Sequence, residues 1–486
     1  MDNKQLLKGT MVYSLMQIAT KMGSFIFLPI ITRLLTPAEY GITGTLGSMI
    51  TMFTVVLGLG MYNAQMKKYI DLKDDENKMG SYMFSSFLVL IFFNLLVFLF
   101  LFTPISKKIF SFIVNLNEVP YNPLIITSVL IAFVNAINIL GVTLSRMKRM
   151  YMKVALGSII SMFTNYVLAI FLIKNLQKGI IGFQMANLAS SIVLLLYYFK
   201  DYFGKFRLKP RKEYIKFSIK NGIPLIFIEL TDQIVNLSDK LVLLKFITPG
   251  IVGGYNLAAD GGRAFSVVKG SFVDSWTPEF YEAMKSDKNN PKITRSIENF
   301  IAIIACLCVL CQLFAPEGIS LIFPKSYSKS INYMPLILAG IVIQALYCLD
   351  YFFHFYENSI YIFYFSVFAM IFNLTGNLIF IPMFPKYGPY IAAWTTILAF
   401  LIRAVLEMIV IKKKYGILFN YKKIFFYMAI VLNPIILYLS DDNINWTKFG
   451  LKIIYFLIVM KLLVNKEVAQ KIILNLKKIK NKIIKK

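Results

Sequence analysis

"RLLTPAEYGITG" occupies residues 33–44, and "KFITPGIVGGYNLAA" occupies residues 245–259. Each copy is a Thr-Pro with a Tyr and glycines close behind, and the two Thr-Pro pairs stand 212 positions apart. Each follows a long apolar segment, "FIFLPIITRLLTP" at 25–37 and "SDKLVLLKFITP" at 238–249, and each leads into a glycine-rich one. The same loop written twice in the same context marks an internal repeat. The fold then depends on what the flanking apolar segments are.

Of the 486 residues, 57% are hydrophobic, and mean hydropathy is +0.65. A soluble protein would have roughly half its residues apolar. Here the apolar residues come in blocks such as "FSSFLVLIFFNLLVFLFLFTP" at 84–104. About 20 apolar residues of helix span the ~30 Å hydrocarbon core. A transmembrane β-barrel would instead alternate polar and apolar residues over ~10-residue strands, and no such pattern occurs. The fold class is therefore all-α, a polytopic membrane protein. Residues 1–9 are polar and basic. The apolar run after them is too long for a signal-peptide core and lacks a small-residue cleavage site, so it reads as the first span.

About fourteen spans of the required length can be placed, near 10–31, 40–62, 82–103, 121–142, 152–173, 179–199, 217–246, 252–274, 297–321, 333–355, 359–381, 388–410, 423–440 and 447–465. The net charge of +27 follows the same plan. With the N-terminus inside, the inner loops and termini carry roughly 34 Lys and Arg against 9 outside, a strong positive-inside bias. Both termini are then cytoplasmic, which requires an even number of spans. Nucleic acid is not the implied partner, because the basic residues do not share one face with interleaved aromatics.

The offset of 212 equals about six spans plus the basic loop at 200–216. Six is even, so the halves share one orientation and form parallel repeats about an axis along the membrane normal. This gives an N-terminal lobe at 1–205, a C-terminal lobe at 206–415, two trailing spans at 416–465 and a tail at 466–486. In the tail, Val468, Ile472, Leu476, Ile479 and Ile483 share one face and lysines fill the other. That pattern predicts an amphipathic helix on the anionic inner leaflet. The cysteines of "CLCVLC" at 306–311 read as small buried hydrophobes, since Cys306 points away from the other two and no fourth ligand is near.

The stretches "LLKGTMVYSLMQ" and "FLPIITRLLTPAEYGI", followed by "NGIPLIF" at 221–227, "SDKLVLLKFITP" at 238–249 and "WTPEFYEAM" at 276–284, resemble bacterial polysaccharide transporters of the Wzx type. The resemblance extends to about residue 410. These proteins flip undecaprenyl-pyrophosphate-linked oligosaccharides, and they belong to the multidrug/oligosaccharidyl-lipid/polysaccharide exporter superfamily. The resemblance implies two six-helix lobes around a central cavity, two trailing helices and alternating access in the bacterial cytoplasmic membrane. It also implies membrane lipids, and other polysaccharide-assembly membrane proteins, as partners.

Ionisable groups inside spans are the informative ones. Each costs about 2.5–3.5 kcal/mol on insertion scales and needs a partner or water. Span one places Ser14, Gln17, Lys21 and Ser24 on one helical face. Span seven places Glu229, Asp232, Gln233, Asn236, Asp239 and Lys240 within roughly a third of the helix circumference. Span eight adds Asn256, Asp260, Arg263 and Asp274, and span twelve adds Arg403 and Glu407. Taken alone, Asp260 and Arg263, three apart, read as a buried pair. Taken together, the stripes predict a hydrated cavity. Its cations Lys21, Arg263, Lys240 and Arg403 suit a pyrophosphate, and its carboxylates Glu229, Asp232, Asp239 and Asp260 suit sugar hydroxyls or a coupling cation. For Arg403 and Glu407, an interfacial pair and a cavity role stay open. Asp350 and the sole histidine, His354, four apart, read as an interfacial pair rather than a proton relay. Asn135 and Asn138, and Asn373 and Asn377, read as interhelical hydrogen-bonding residues.

No phosphate-binding glycine loop and no nucleophile with a base is evident, so neither ATP hydrolysis nor enzymatic chemistry is indicated. No cofactor is expected, and coupling to H+ or Na+ is the candidate energy source. The alternatives are a cation-coupled multidrug exporter on the same fold and an integral-membrane glycan polymerase. The polymerase needs a large charged outer loop, and the outer loops here are short.

Overall fold

A computed structural model of the chain describes residues 23–286, 291–440 and 445–463, with backbone alone at 274, 275 and 291. The described residues are helical throughout, with no strand. In chain order the helices are α1 (Gly23–Leu34), α2 (Pro37–Leu57), α3 (Met61–Leu72), α4 (Glu76–Leu101), α5 (Pro104–Ile113), α6 (Ile126–Met147), α7 (Tyr151–Lys174), α8 (Gly179–Tyr202) and α9 (Lys212–Phe246). There follow α10 (Pro249–Ser286), α11 (Pro291–Ile322), α12 (Ser330–Gln344), α13 (Asp350–Phe355), α14 (Ile360–Met383), α15 (Gly388–Tyr415), α16 (Tyr421–Val431), α17 (Pro434–Leu439) and α18 (Trp446–Leu463).

Ten spans among the described residues are long and apolar enough to cross a membrane. Of the four other expected spans, three fall short for a reason visible in the sequence. Only Gly23–Leu34 of the first span is described. The other three are α9, α10 and α18: α9 and α10 carry the charged stripes, and α18 carries Lys448, Lys452 and Lys461. The molecule is a polytopic helical membrane protein.

Several spans are broken where the sequence predicted one helix. Span two ends at Gly58, and the chain turns through Leu59 and Gly60, both at positive φ (50° and 60°), before α3 begins. Glycine relieves the left-handed strain at position 60. Span ten is α12, a 3-10 turn at Ala345–Leu349, and α13. Span thirteen is interrupted before Pro434, where Asn433 caps α17. Proline cannot donate the helical hydrogen bond, so it is tolerated at a first turn.

The described chain divides into two compact units, and the division does not fall at the basic loop. The first unit holds the described residues up to Leu257 together with Met370–Ala392. The second holds Ala258–Ala369 with the described residues from Ala393 onward. In the first unit, α2 packs on α6 and α9, α6 packs on α8, and α7 packs on α8. Helices in lipid gain little from apolar burial, so small residues and polar bonds hold them. Asn138 Nδ2 donates to the Ser191 carbonyl at 2.9 Å, and Ser191 Oγ bonds Asn135 Oδ1 at 2.9 Å. Asn373 Oδ1 lies 3.4 Å from Ser238 Oγ. Asn135, Asn138 and Asn373 bond across helices, as expected, whereas Asn377 Nδ2 lies 3.4 Å from Asn373 Oδ1 within α14.

In the second unit, α11 packs on α12, α16 and α18. Two ion pairs fasten the trailing helices to it. Lys423 Nζ meets Glu298 Oε2 at 2.9 Å, and Lys452 Nζ meets Glu317 Oε1 at 2.6 Å. Cys306 and Cys308 are buried, but Cys311 is exposed, so the reading of these cysteines as buried hydrophobes fails at Cys311. The tail at 466–486 lies outside the described residues.

Candidate functional site

The repeated loop explains its own composition. In the first copy Thr36 caps α2 through a capping box. Glu39 N donates to Thr36 Oγ1 at 3.3 Å, and Thr36 N donates to Glu39 Oε2 at 2.9 Å. Pro37 takes the first helical position, where a missing N–H costs nothing. In the second copy Ile251 stands in the place of Glu39, and Ile251 N bonds the Thr248 carbonyl at 3.0 Å. The two helix starts meet. A methyl on Gly41 would overlap the Pro249 carbonyl oxygen and lie 2.8 Å from Gly253 N; one on Gly253 would overlap the Pro37 carbonyl oxygen.

Of the predicted site residues, Lys21 and Gln17 lie outside the described residues, and the Asp274 side chain does as well. The others fall into separate environments. In the first unit, Glu229 on α9 is half-buried, and its Oε1 accepts from the Tyr62 hydroxyl and, at 3.1 Å, from Asn63 Nδ2. Asp232, one turn on, is also half-buried, while Asn236 is exposed and donates to the Asp232 carbonyl at 2.7 Å. Asp239 and Lys240 do not continue this accessible stripe, being only 6% and 3% exposed. Asp239 accepts from the Tyr255 hydroxyl and from Lys240 N at 2.8 Å. The stripe is one face of the helix in the sequence, but packing against the start of α10 covers its last turn.

In the second unit, Asp260 and Arg263 pair within one turn of α10. The Arg263 side chain is 64% exposed against 17% for Asp260, and only Nη2 of its guanidinium is engaged among the described residues. Arg403 has a different setting. It is 1% exposed, bonded through Nε to Glu407 at 2.7 Å and through Nη2 to both Asp350 oxygens at 3.0 and 2.7 Å. Its guanidinium lies 3.7 Å over the Tyr347 ring. Nη2 is shared by both Asp350 oxygens, so Asp350 pairs with Arg403 rather than with His354. His354 is exposed and bonds Ser359 Oγ at 3.0 Å instead.

Reasoning from sequence did not single out Tyr62, Asn63 or Lys269. Tyr62 and Asn63 directly follow the glycine break of span two, a position that carries no charge to flag it. Lys269 does carry one, inside span eight, but off the polar face. Its Nζ donates to Gln344 Oε1 at 2.6 Å. No group of three or more His, Cys, Asp or Glu placed to hold a metal ion occurs among the described residues. The first unit thus holds the half-buried carboxylates Glu229 and Asp232, the former with neutral donors, and the second holds the exposed guanidinium of Arg263.

The family model described as polysaccharide biosynthesis protein matches residues 6–284. No curated protein sequence matches the chain. Among solved structures, the chain is similar to the lipid II flippase MurJ in an inward closed conformation, with 16% identity, 93% of this chain and 98% of that chain covered, and a TM-score of 0.70. It is also similar to a multidrug resistance MATE family transporter of the MOP superfamily in an inward-facing conformation, with 15% identity, 82% and 94% covered, and a TM-score of 0.65. A MATE structure in a straight conformation gives 14% identity, 84% and 95% covered, and a TM-score of 0.52. These likenesses show the fold of that superfamily.

Proposed function

The chain belongs to the polysaccharide biosynthesis protein family, and from that premise we propose that it flips an undecaprenyl-pyrophosphate-linked oligosaccharide across the bacterial cytoplasmic membrane. The observation that carries this reading is Arg263. It is an exposed guanidinium with one nitrogen engaged, on a helix the sequence places across the membrane. Such a charge persists only facing water or an anion, and a guanidinium suits a phosphate oxygen pair. Lys21 is the second proposed phosphate contact. Glu229, Asp232 and Asn236 are the proposed partners for sugar hydroxyls or for a coupling H+ or Na+. Arg403 and Lys240, both buried here, are left out of the substrate set.

In this reading the two lobes are the repeats 1–205 and 206–415, and both termini are cytoplasmic. A C-terminal reporter active only outside the membrane should stay silent, and a bright one would overturn the topology. Loss of the protein should leave lipid-linked oligosaccharide on the inner leaflet, as read by extracting labelled glycan lipid. An unchanged distribution between leaflets would sink the reading. Arg263→Ala should abolish export at normal protein abundance, and Lys21→Ala should do the same, with Lys21→Arg better tolerated. If Arg263 only neutralises Asp260, then Arg263→Ala with Asp260→Ala leaves no unpaired charge and restores export. Full recovery in that double variant would remove Arg263 from the substrate contacts.

A further inference from the structure

On the loop-charge topology, the loop between α4 and α6 lies outside the membrane, and it contains the short helix α5 (Pro104–Ile113). Both ends of α5 are secured. Thr103 Oγ1 accepts from Ser106 N at 3.4 Å, and Lys245 Nζ, at the end of α9, donates to the Phe112 carbonyl in the last turn. Those are the backbone groups that a helix leaves unpaired. At about 100° per residue, Ser106 and Phe110 share one face. That face packs on the protein. Both residues are buried, Ser106 Oγ lies 2.8 Å from the Tyr121 hydroxyl, and the Phe110 ring centroid lies 5.8 Å from Phe53 and 5.7 Å from Tyr121.

The next face is apolar and open. Ile105, Ile109 and Phe112 lie within about 60° of one another around the helix, and they are 63%, 45% and 66% exposed. Just before them, Phe98, Leu99 and Phe102 are exposed at the outer end of span three. That span is long and apolar enough to cross the membrane, so its exposed apolar side chains face lipid. The stripe on α5 continues the same apolar surface beyond the end of the span. The third face is polar, with Lys107 and Ser111 roughly opposite Ile105. Lys108 stands on the edge between the polar and apolar faces. Both lysines are exposed, and neither side chain enters an ion pair among the described residues.

We propose that α5 is an interfacial helix seated in the outer leaflet, with Ile105, Ile109 and Phe112 among the acyl chains and Lys108 at the phosphate of an anionic phospholipid. A helix with separate protein, apolar and polar faces fits where protein, hydrocarbon and water meet. An amphipathic helix in that position buries its apolar face about 5–10 Å into the headgroup and acyl boundary, and anionic lipid strengthens the attachment. A lysine on the edge of that face can lay its stem along the apolar surface and extend its ammonium to the headgroups. A second copy of this chain would also cover the stripe. The unbroken run into the lipid-facing surface of span three favours lipid. The seat also gives the Lys245 bond a purpose. Through the Phe112 carbonyl, α5 holds the outer end of α9, and with it the second Thr-Pro loop, at the level of the outer headgroups.

Labelling and lipid quenching of the full chain test it. With Cys306, Cys308, Cys311 and Cys348 replaced by Ser, Lys107→Cys should react with a membrane-impermeant maleimide on intact cells. Ile109→Cys should react about tenfold more slowly or less, because the acyl layer shields it. Equal rates would put the stripe in water, and an unreactive Lys107→Cys would remove α5 from the outer surface; either overturns the seat. With Trp276, Trp394 and Trp446 replaced by Phe, Ile109→Trp is then placed in vesicles of brominated phosphatidylcholine and phosphatidylglycerol. Its fluorescence should fall by about half or more, while that of Ser111→Trp should change little. Slow labelling of Ile109→Cys without quenching of Ile109→Trp would mean that protein covers the stripe, as in a dimer, and would also overturn the seat. Omitting phosphatidylglycerol should weaken the Ile109→Trp quenching. Lys108→Ala should abolish that dependence and Lys107→Ala should keep it. A dependence that survives Lys108→Ala would remove the headgroup contact. Where the Trp-free background does not accumulate, a nitroxide on Ile109→Cys asks the same question. It should be more accessible to oxygen than to a water-soluble nickel chelate, and a preference for the chelate, or access to neither, would overturn the seat.

Discussion

The two ends of α2 close against the second half of the chain in different ways. At the Pro37 end the partner is α10, where Gly41 faces Pro249 and Gly253, Gly253 faces Pro37, and Gly44 faces its repeat equivalent Asn256. At the Gly60 end the partner is α9. A methyl on Gly60 would lie 2.9 Å from the Gly222 carbonyl carbon, and one on Gly222 would lie 3.2 Å from the Gly60 carbonyl carbon. The repeat offset takes Gly60 to Phe272 and Gly222 to Thr10, so this second contact has no symmetric counterpart. It is also dense in side-chain bonds. From the start of α3, just beyond Gly60, Tyr62 and Asn63 reach Glu229 on α9, and Lys67 Nζ reaches Asn221 at 3.4 Å. The contact between the two Thr-Pro helix starts lays backbone against backbone with Asn256 bonded across it, whereas the one at Gly60 is joined by the side chains of Tyr62, Asn63 and Lys67.

Three substitutions would break or sharpen that contrast. Gly60→Val should have the largest effect. It places a β-branched residue at φ 60° against the Gly222 backbone, adding backbone strain of about 1–3 kcal/mol to overpacking of about the same size. Thermal unfolding in detergent should show a Tm drop of several degrees or failure to accumulate, and a wild-type Tm would refute the pinned contact.

Tyr62→Phe should come next. It removes one of the two donors to the half-buried Glu229 carboxylate. Hydrogen bonds to charged groups are worth about 1.5–3 kcal/mol when buried, and partial exposure brings the expected cost to about 1 kcal/mol. Transport should fall by more than this stability loss explains if Glu229 is a working group. Equal losses in transport and in folded protein would make the pair merely structural. Asn256→Ala should cost least, under about 1 kcal/mol, because it deletes the orphaned acceptor along with the donor. A cost as large as that of Gly60→Val would mean that the Pro37 end is pinned too, and the contrast would collapse.

Much of the fold was legible. Long apolar blocks gave the helices, and the duplicated Thr-Pro loop marked two helix starts that meet. The candidate site was legible only as stripes. Periodicity put Glu229, Asp239 and Lys240 on one face of span seven, yet Glu229 is half-buried while Asp239 and Lys240 are covered. Spacing along one helix says which residues share a face, but not which neighbour lies over each turn. Asp350 and His354, four apart, had the spacing of a pair, but Arg403, 53 residues away, supplies the partner.

The sequence by itself determined that this chain is a helical membrane protein, because hydrocarbon admits only apolar residues on internally bonded helices and that demand is written locally. It also determined that Pro37 and Gly41 would recur as Pro249 and Gly253. Only the tertiary structure decided that these two glycines touch each other, that Tyr62 and Asn63 turn toward Glu229 from 166 residues away or more, and that Arg403 is spent on Asp350 and Glu407 while Arg263 keeps most of its guanidinium exposed. The physical reason is range. Insertion into a membrane is a sum over single residues, whereas the pairing of a charge depends on which distant side chain is folded against it.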